Sequence, residues 1–202
     1  MNTETVSLFL ALLAVAAELA TLAAVVLAVG GRFSPGLADL RNQALEAVAP
    51  SAVTLAFLVA TVCMAGSLYF SEVAHFPPCH LCWLQRFCMY PLVPILGYAA
   101  WRQEGRLRPI AFALAVTGAL IATYHVLLEH NPQWESSVCD PKNPCTLIWV
   151  ERLGYLTIPT MALSGFAFII TLLAISRAGH RPDRPDRPKP SERPRSEAHG
   201  HQ

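Results

Sequence analysis

The feature that most limits the folds open to this chain is a series of apolar runs, each long enough to cross a bilayer. The first, Val6 to Val29, holds a single ionisable residue, Glu18. As a helix rising 1.5 Å per residue it exceeds a hydrocarbon core about 30 Å thick. Further runs cover about Ser51 to Phe70, Cys79 or Leu81 to Trp101, Pro109 to Leu128 and Tyr155 to Ile175. With 53% hydrophobic and only 14% charged residues among 202, the expectation is an all-α membrane protein with five spans. A cleaved leader is the alternative for the first run, but Met1-Asn2-Thr3-Glu4-Thr5 lacks the positive residues a leader needs. Pro91 and Pro94 fall inside the third run and predict a kink there, not an end.

The segments between the runs are polar. Gly30 to Pro50 reads as a loop with one short helix around Leu37 to Val48, and Glu129 to Gly154 as a longer loop. From Arg177 onward an Arg-Pro-Asp repeat can bury almost nothing, so a disordered tail is expected, and His180, His199 and His201 are too sparse for a metal site. Five spans place Arg32, Arg41, Arg102, Arg106, Arg108 and the tail on one side, and leave only Lys142 and Arg152 among the loops of the other. By the positive-inside rule the N-terminus is then outside and the C-terminus inside. Cys79, Cys82, Cys139 and Cys145 would all face the oxidising side, where disulfide chemistry is favoured over zinc thiolates. No metal is expected, and a net charge of +1 gives no reason to expect a nucleic-acid partner.

The candidate chemistry lies in Pro77-Pro78-Cys79-His80-Leu81-Cys82-Trp83-Leu84-Gln85-Arg86. Vicinal prolines stop the preceding helix and let a new one start at the cysteines, where free N–H groups and the helix dipole favour a thiolate. Arg86, four residues after Cys82 and seven after Cys79, shares their helical face. Half a zinc site or a structural disulfide is the plainer alternative. In Cys139-Asp140-Pro141-Lys142-Asn143-Pro144-Cys145 a second pair brackets a compact turn, whose disulfide would stabilise little and is better suited to exchange. Two outward pairs suggest a relay: an external thiol attacks the exposed loop disulfide, the electrons pass to the C-x-x-C, and an acceptor drains that pair.

The sequence holds no haem motif, dinucleotide fingerprint or iron–sulfur spacing, so a bilayer-soluble acceptor is the natural choice. Arg86 near the outer interface could hydrogen-bond a quinone carbonyl, with interfacial anchoring as the alternative. His125, at similar depth near the outer end of the fourth run, could complete the pocket or supply protons; an interhelical hydrogen bond is its alternative. Cys63 and Cys88 are assigned to packing. Trp149, within the mixed Thr146 to Tyr155, suggests a segment lying on the membrane surface and keeping the loop pair close.

These residues resemble the DsbB family of disulfide bond formation proteins, membrane thiol:quinone oxidoreductases. The match is carried by Pro78 to Arg86, Tyr124-His125, Cys139 with Cys145, and Gly154-Tyr155-Leu156-Thr157-Ile158-Pro159-Thr160, and it covers about residues 51 to 176. The C-x5-C loop is most similar to the BdbC-type branch. The order of the pairs is the reverse of that in VKOR-like quinone reductases, a nearer rival than a disulfide-stapled scaffold. The resemblance implies a four-helix bundle over 51–176 with its outer loop at 129–154, preceded by an extra transmembrane helix and cytoplasmic loop in 1–50 and followed by the tail 177–202. It further implies reoxidation of a DsbA/BdbD-like thioredoxin-fold partner at a bacterial plasma membrane, with electrons passed to ubiquinone or menaquinone. Cys139 would form the mixed disulfide and Cys145 would be its pair. Cys79 and Cys82 would take the electrons, with Cys82 nearest the quinone and Arg86, Gln85 and His125 binding it. The extra helix has no counterpart in the family pattern, and the short loop leaves open any rearrangement seen in longer-looped members.

Overall fold

The computed structural model describes residues 2–102, 105–135, 139–140 and 143–179. Expectations for the tail beyond Gly179, and for Pro141 and Lys142, fall outside them. The described chain forms α1 (Thr3–Gly30), α2 (Pro35–Val48), α3 (Ala52–Leu68) prolonged by a π-turn (Tyr69–Val73), α4 (His80–Arg102), α5 (Arg108–His130) and α6 (Ile158–Gly179). Four helices, α1, α3 with its π-turn, α5 and α6, are long and apolar enough to cross a membrane. At 23 residues α4 has the length but carries Gln85, Arg86, Pro91 and Pro94, which lower its hydropathy. It continues through both prolines, and it packs between α3 and α5 as a fifth member of the set.

Helices α3, α4, α5 and α6 close a ring in which α3 packs on α4, α4 on α5, α5 on α6 and α6 back on α3. Between lipid-solvated helices the drive is close van der Waals packing, which favours small residues at the contacts. Ala52, Ala56 and Ala60 on α3, and Ala111, Ala115 and Ala122 on α5, accordingly form buried stripes at helical spacing. Leu92, Leu96, Phe166 and Ile169 fill the space between them. Gly118 admits the Phe166 ring, since a Cβ there would collide with it. Cys88 lies in this core, and Cys63 Sγ abuts Gly165, so both occupy packing positions.

Helix α1 lies outside the ring, chiefly along α6, and buries Ser7, Ala11, Ala14 and Ala17 on one face. Glu18, the lone charge of its apolar run, accepts hydrogen bonds from Ser164 Oγ (2.7 Å) and Tyr155 Oη (2.8 Å). Nearer the end, Arg152 Nε donates to Ser7 Oγ (3.0 Å). Interhelical hydrogen bonds of this kind in membranes are worth about 1 kcal/mol each. They join α1 to the segment before α6 and to α6 itself.

The stretch before α6 differs from the expected span. Residues 155–157 belong to a short hairpin, β1 (Glu151–Arg152) antiparallel to β2 (Leu156–Thr157), and α6 starts only at Ile158. Leu153 and Gly154 adopt positive φ (54° and 78°) at its turn, a conformation glycine takes without penalty. Thr157 Oγ1 donates to Glu129 Oε2 at 2.7 Å and fixes the hairpin to the end of α5. The connections carrying the four site cysteines therefore gather, with the start of α1, at one end of the bundle.

Candidate active site

The dithiol is placed by an interrupted backbone. After the π-turn the chain reverses through His75, at φ 57°, and the two prolines that follow donate no backbone N–H. Helix α4 then begins at His80, with Cys79 just before it. The Cys82 amide points at Cys79 Sγ (3.3 Å), as the free N–H groups of a helix start allow. The two sulfurs are 2.8 Å apart. The Cys82 thiol, then His125, hold Cys79 well below the ordinary thiol range, against the opposing effect of burial.

His125 on α5 stands on the Cys79 side of the pair, with Nε2 3.7 Å from Cys79 Sγ. The same nitrogen lies 2.9 Å from the Cys145 carbonyl, and Gln85 Nε2 lies 3.0 Å from Nδ1. A carbonyl can only accept, so Nε2 carries the proton and Nδ1 accepts from the Gln85 amide. Gln85 and His125, both buried, thus form a polar line from α4 through α5 to the loop pair.

Cys139 and Cys145 form a disulfide with Cα atoms 5.8 Å apart. Both are buried in a cluster with Cys79, Leu81 and Leu128, whereas the sequence predicts an exposed bridge. The reason is docking: His125 Nε2 donates to the Cys145 carbonyl (2.9 Å) and Asn143 Nδ2 to the Pro78 carbonyl (3.1 Å), while Glu135 Oε1 of the same loop accepts the Cys145 N–H (2.8 Å). These contacts draw the small loop down onto the C-x-x-C.

On the other side of the dithiol lies an apolar cavity of about 300 Å³. Cys82, Gln85 and Arg86 line it, whereas Cys79 and His125 do not. His125 is therefore placed at the thiols, away from the pocket wall expected for it. Arg86 is tied to α3, with Nε and Nη2 donating to Ser67 Oγ (2.9 Å) and the Ser67 carbonyl (2.8 Å), and its guanidinium lies 5.3 Å from the Trp83 ring centre. Trp149 stacks on Phe76 (5.2 Å) and Phe76 on Phe70 (6.1 Å); all three line the cavity. The loop beyond the disulfide is thereby held over the pocket. Phe70 and Phe76 were not singled out in the sequence; their only signal is aromatic character beside the Pro-Pro break.

The sequence profile of the disulfide bond formation protein DsbB matches residues 49–143. Probable disulfide formation protein C 2 of Bacillus anthracis is 38% identical over 125 residues, covering 62% of this chain and 89% of that relative. Disulfide bond formation protein C of Bacillus subtilis is 39% identical over 120 residues, covering 59% of this chain and 87% of the relative. A probable disulfide formation protein of Coxiella burnetii is 38% identical over 110 residues, covering 54% and 75%. No solved structure matches the chain. A dithiol at a helix start, a disulfide docked on it and this degree of likeness lead to one conclusion: the chain is a multi-pass membrane protein belonging to the DsbB family of disulfide bond formation proteins.

Proposed function

We propose that this member of a disulfide-forming oxidoreductase family is a thiol:quinone oxidoreductase of a bacterial plasma membrane. It reoxidises a DsbA/BdbD-like thioredoxin-fold partner on the outer side and thereby sustains disulfide formation in exported proteins. The observation that carries the reading is the position of the Cys79–Cys82 pair between two different environments. Cys79 abuts the loop disulfide cluster, and Cys82 opens on an apolar cavity edged by Arg86 and Gln85.

The cavity suits a quinone. Its volume of about 300 Å³ is at the lower end of small-molecule sites. Its walls are mostly apolar, and Arg86 and Gln85 bring the N–H donors that a ring carbonyl requires. A bound quinone supplies an acceptor for two electrons and two protons. The chain's own residues perform the remaining steps. A partner thiolate attacks the Cys139–Cys145 bridge; by family analogy it forms the mixed disulfide at Cys139 and frees the Cys145 thiolate. A second partner thiol releases the oxidised partner and leaves the loop pair reduced. The loop dithiol then reduces the Cys79–Cys82 disulfide by the same two-step exchange, and its own bridge is restored. Closure of the Cys79–Cys82 disulfide releases two electrons and two protons, which a bound quinone would accept. His125, with its Nε2–H within reach of Cys79, stabilises the Cys79 thiolate, and Arg86 is the residue that would stabilise negative charge on a bound quinone.

Purified protein in lipid, given a reduced thioredoxin-fold dithiol and either a benzoquinone-type or a naphthoquinone-type acceptor, tests the proposal. Catalytic oxidation of the dithiol with stoichiometric hydroquinone formation is expected. A single turnover with no dependence on either quinone would overturn it.

A further inference from the structure

The cavity beside Cys82 has a wall that the four-helix ring does not supply. Leu10, Leu13, Ala14 and Ala17 of α1 line it together with residues of α3, α4 and α6. Ala14 and Ala17 are buried, while Leu12 and Leu19 are exposed (55% and 62%), as lipid-facing residues would be. Leu10 reaches α3, where Gly66 leaves room for it; a Cβ at Gly66 would lie 2.9 Å from Leu10 Cδ1. The placement of α1 is held by polar contacts with partners distant in sequence. Glu18 receives the hydroxyls of Ser164 and Tyr155, and Ser7 receives Arg152. A span serving only as an anchor needs no ionisable residue within its apolar run, and one bonded to distant segments marks a specific partner.

We infer that α1 is the closing wall of the acceptor site and that Ala14 and Ala17 set the width available to the quinone. This deepens the quinone reading and rests on it. Arg86, Gln85 and Tyr90 of the cavity belong to α4 and Ser67 to α3, whereas the α1 side chains are wholly apolar. The α4 residues would therefore hold a quinone's ring carbonyl, and the α1 residues would pack against its apolar body and the start of its isoprenoid tail. The alanines matter because they leave volume, and a larger side chain at either position takes it back.

The test uses the full chain in lipid with a decyl-tailed benzoquinone as the varied substrate. Ala14→Trp and Ala17→Trp should each raise the apparent quinone KM about tenfold or more while changing kcat at saturating quinone far less, the pattern of a lost binding contribution. Leu19→Trp, on the lipid face of the same helix, should leave KM unchanged. A quinone KM unmoved by both alanine variants, in a preparation where Arg86→Ala raises it, would overturn the wall and leave the quinone reading standing. No quinone turnover by the unaltered chain would overturn both. If the tryptophan variants fail to fold, photolabelling of the unaltered protein with an azido-quinone decides: label on α1 as well as α4 supports the wall, and label on α4 without α1 contradicts it.

Discussion

The two cysteine pairs lie at the same end of the bundle, and the differences between their settings divide the chemistry. Cys79 and Cys82 are set by a helix start and by helix packing: a backbone amide and His125 reach Cys79, while Cys82 turns to the cavity. Cys139 and Cys145 sit in irregular backbone, held by the side chains of His125, Glu135 and Asn143. Irregular segments open at lower cost than packed helices. Under the proposed function, the pair that meets another protein lies in the docked loop, and the pair that meets a lipid-soluble acceptor lies in the rigid bundle. Because the loop disulfide is buried when docked, partner attack requires the loop to lift from the Pro77–Pro78 turn.

Variants can break this division, the most severe first. Cys82→Ser should lower quinone-coupled turnover by about a thousandfold or more, since the acceptor-side bond cannot form, yet leave one stoichiometric dithiol oxidation by the loop pair. Rapid-quench thiol counting checks both halves. Arg86→Ala should raise the apparent quinone KM about tenfold, equivalent to about 1.4 kcal/mol, with little change in the KM for the dithiol partner. Initial-rate kinetics with each substrate varied in turn separates them.

Acidity probes the bundle pair most directly. A thiol lowered in the fold remains thiolate as pH falls below the ordinary value near 8.5, and loses that form only at its own lower value. Attack by Cys79 of the reduced pair on an added small disulfide should therefore hold its rate at pH 6. His125→Ala removes one of the stabilising contacts, so its inflection should move to higher pH, read from single-turnover exchange rates across pH. The smallest effect is expected for Asn143→Ala, which frees one tether of the loop. Attack by an external thiol on Cys139–Cys145 should quicken by about twofold to fivefold, consistent with the loss of roughly 0.5–1 kcal/mol of docking, while the quinone KM stays fixed.

Much of this arrangement is legible along the chain because it is local. Hydropathy alone places the fourth span at Pro109 to Leu128, against the observed Arg108–His130, and the Pro-Pro break places the start of α4 within a residue. The C-x-x-C-x-x-x-R spacing brings Cys82 and Arg86 to one cavity because both lie on the same helix face. What the chain conceals is set by packing between distant segments. Nothing near Glu18 indicates Ser164, 146 residues away, and nothing near Gln85 indicates His125, 40 residues away. The β1–β2 hairpin is invisible for another reason: two-residue strands have no period to detect, so Tyr155 to Thr157 read as the start of a span. Depth along the span puts His125 level with Arg86, but depth does not say which side of the dithiol a residue faces.

The central claim, that the electrons pass from the loop pair through Cys79–Cys82 to a quinone, is tested most directly in the Cys139→Ser/Cys145→Ser variant. Its Cys79–Cys82 dithiol should be oxidised by added quinone, with one hydroquinone formed per disulfide, while a reduced thioredoxin-fold partner is no longer turned over. A dithiol that remains reduced under excess quinone, in protein whose fold is intact, would contradict the account.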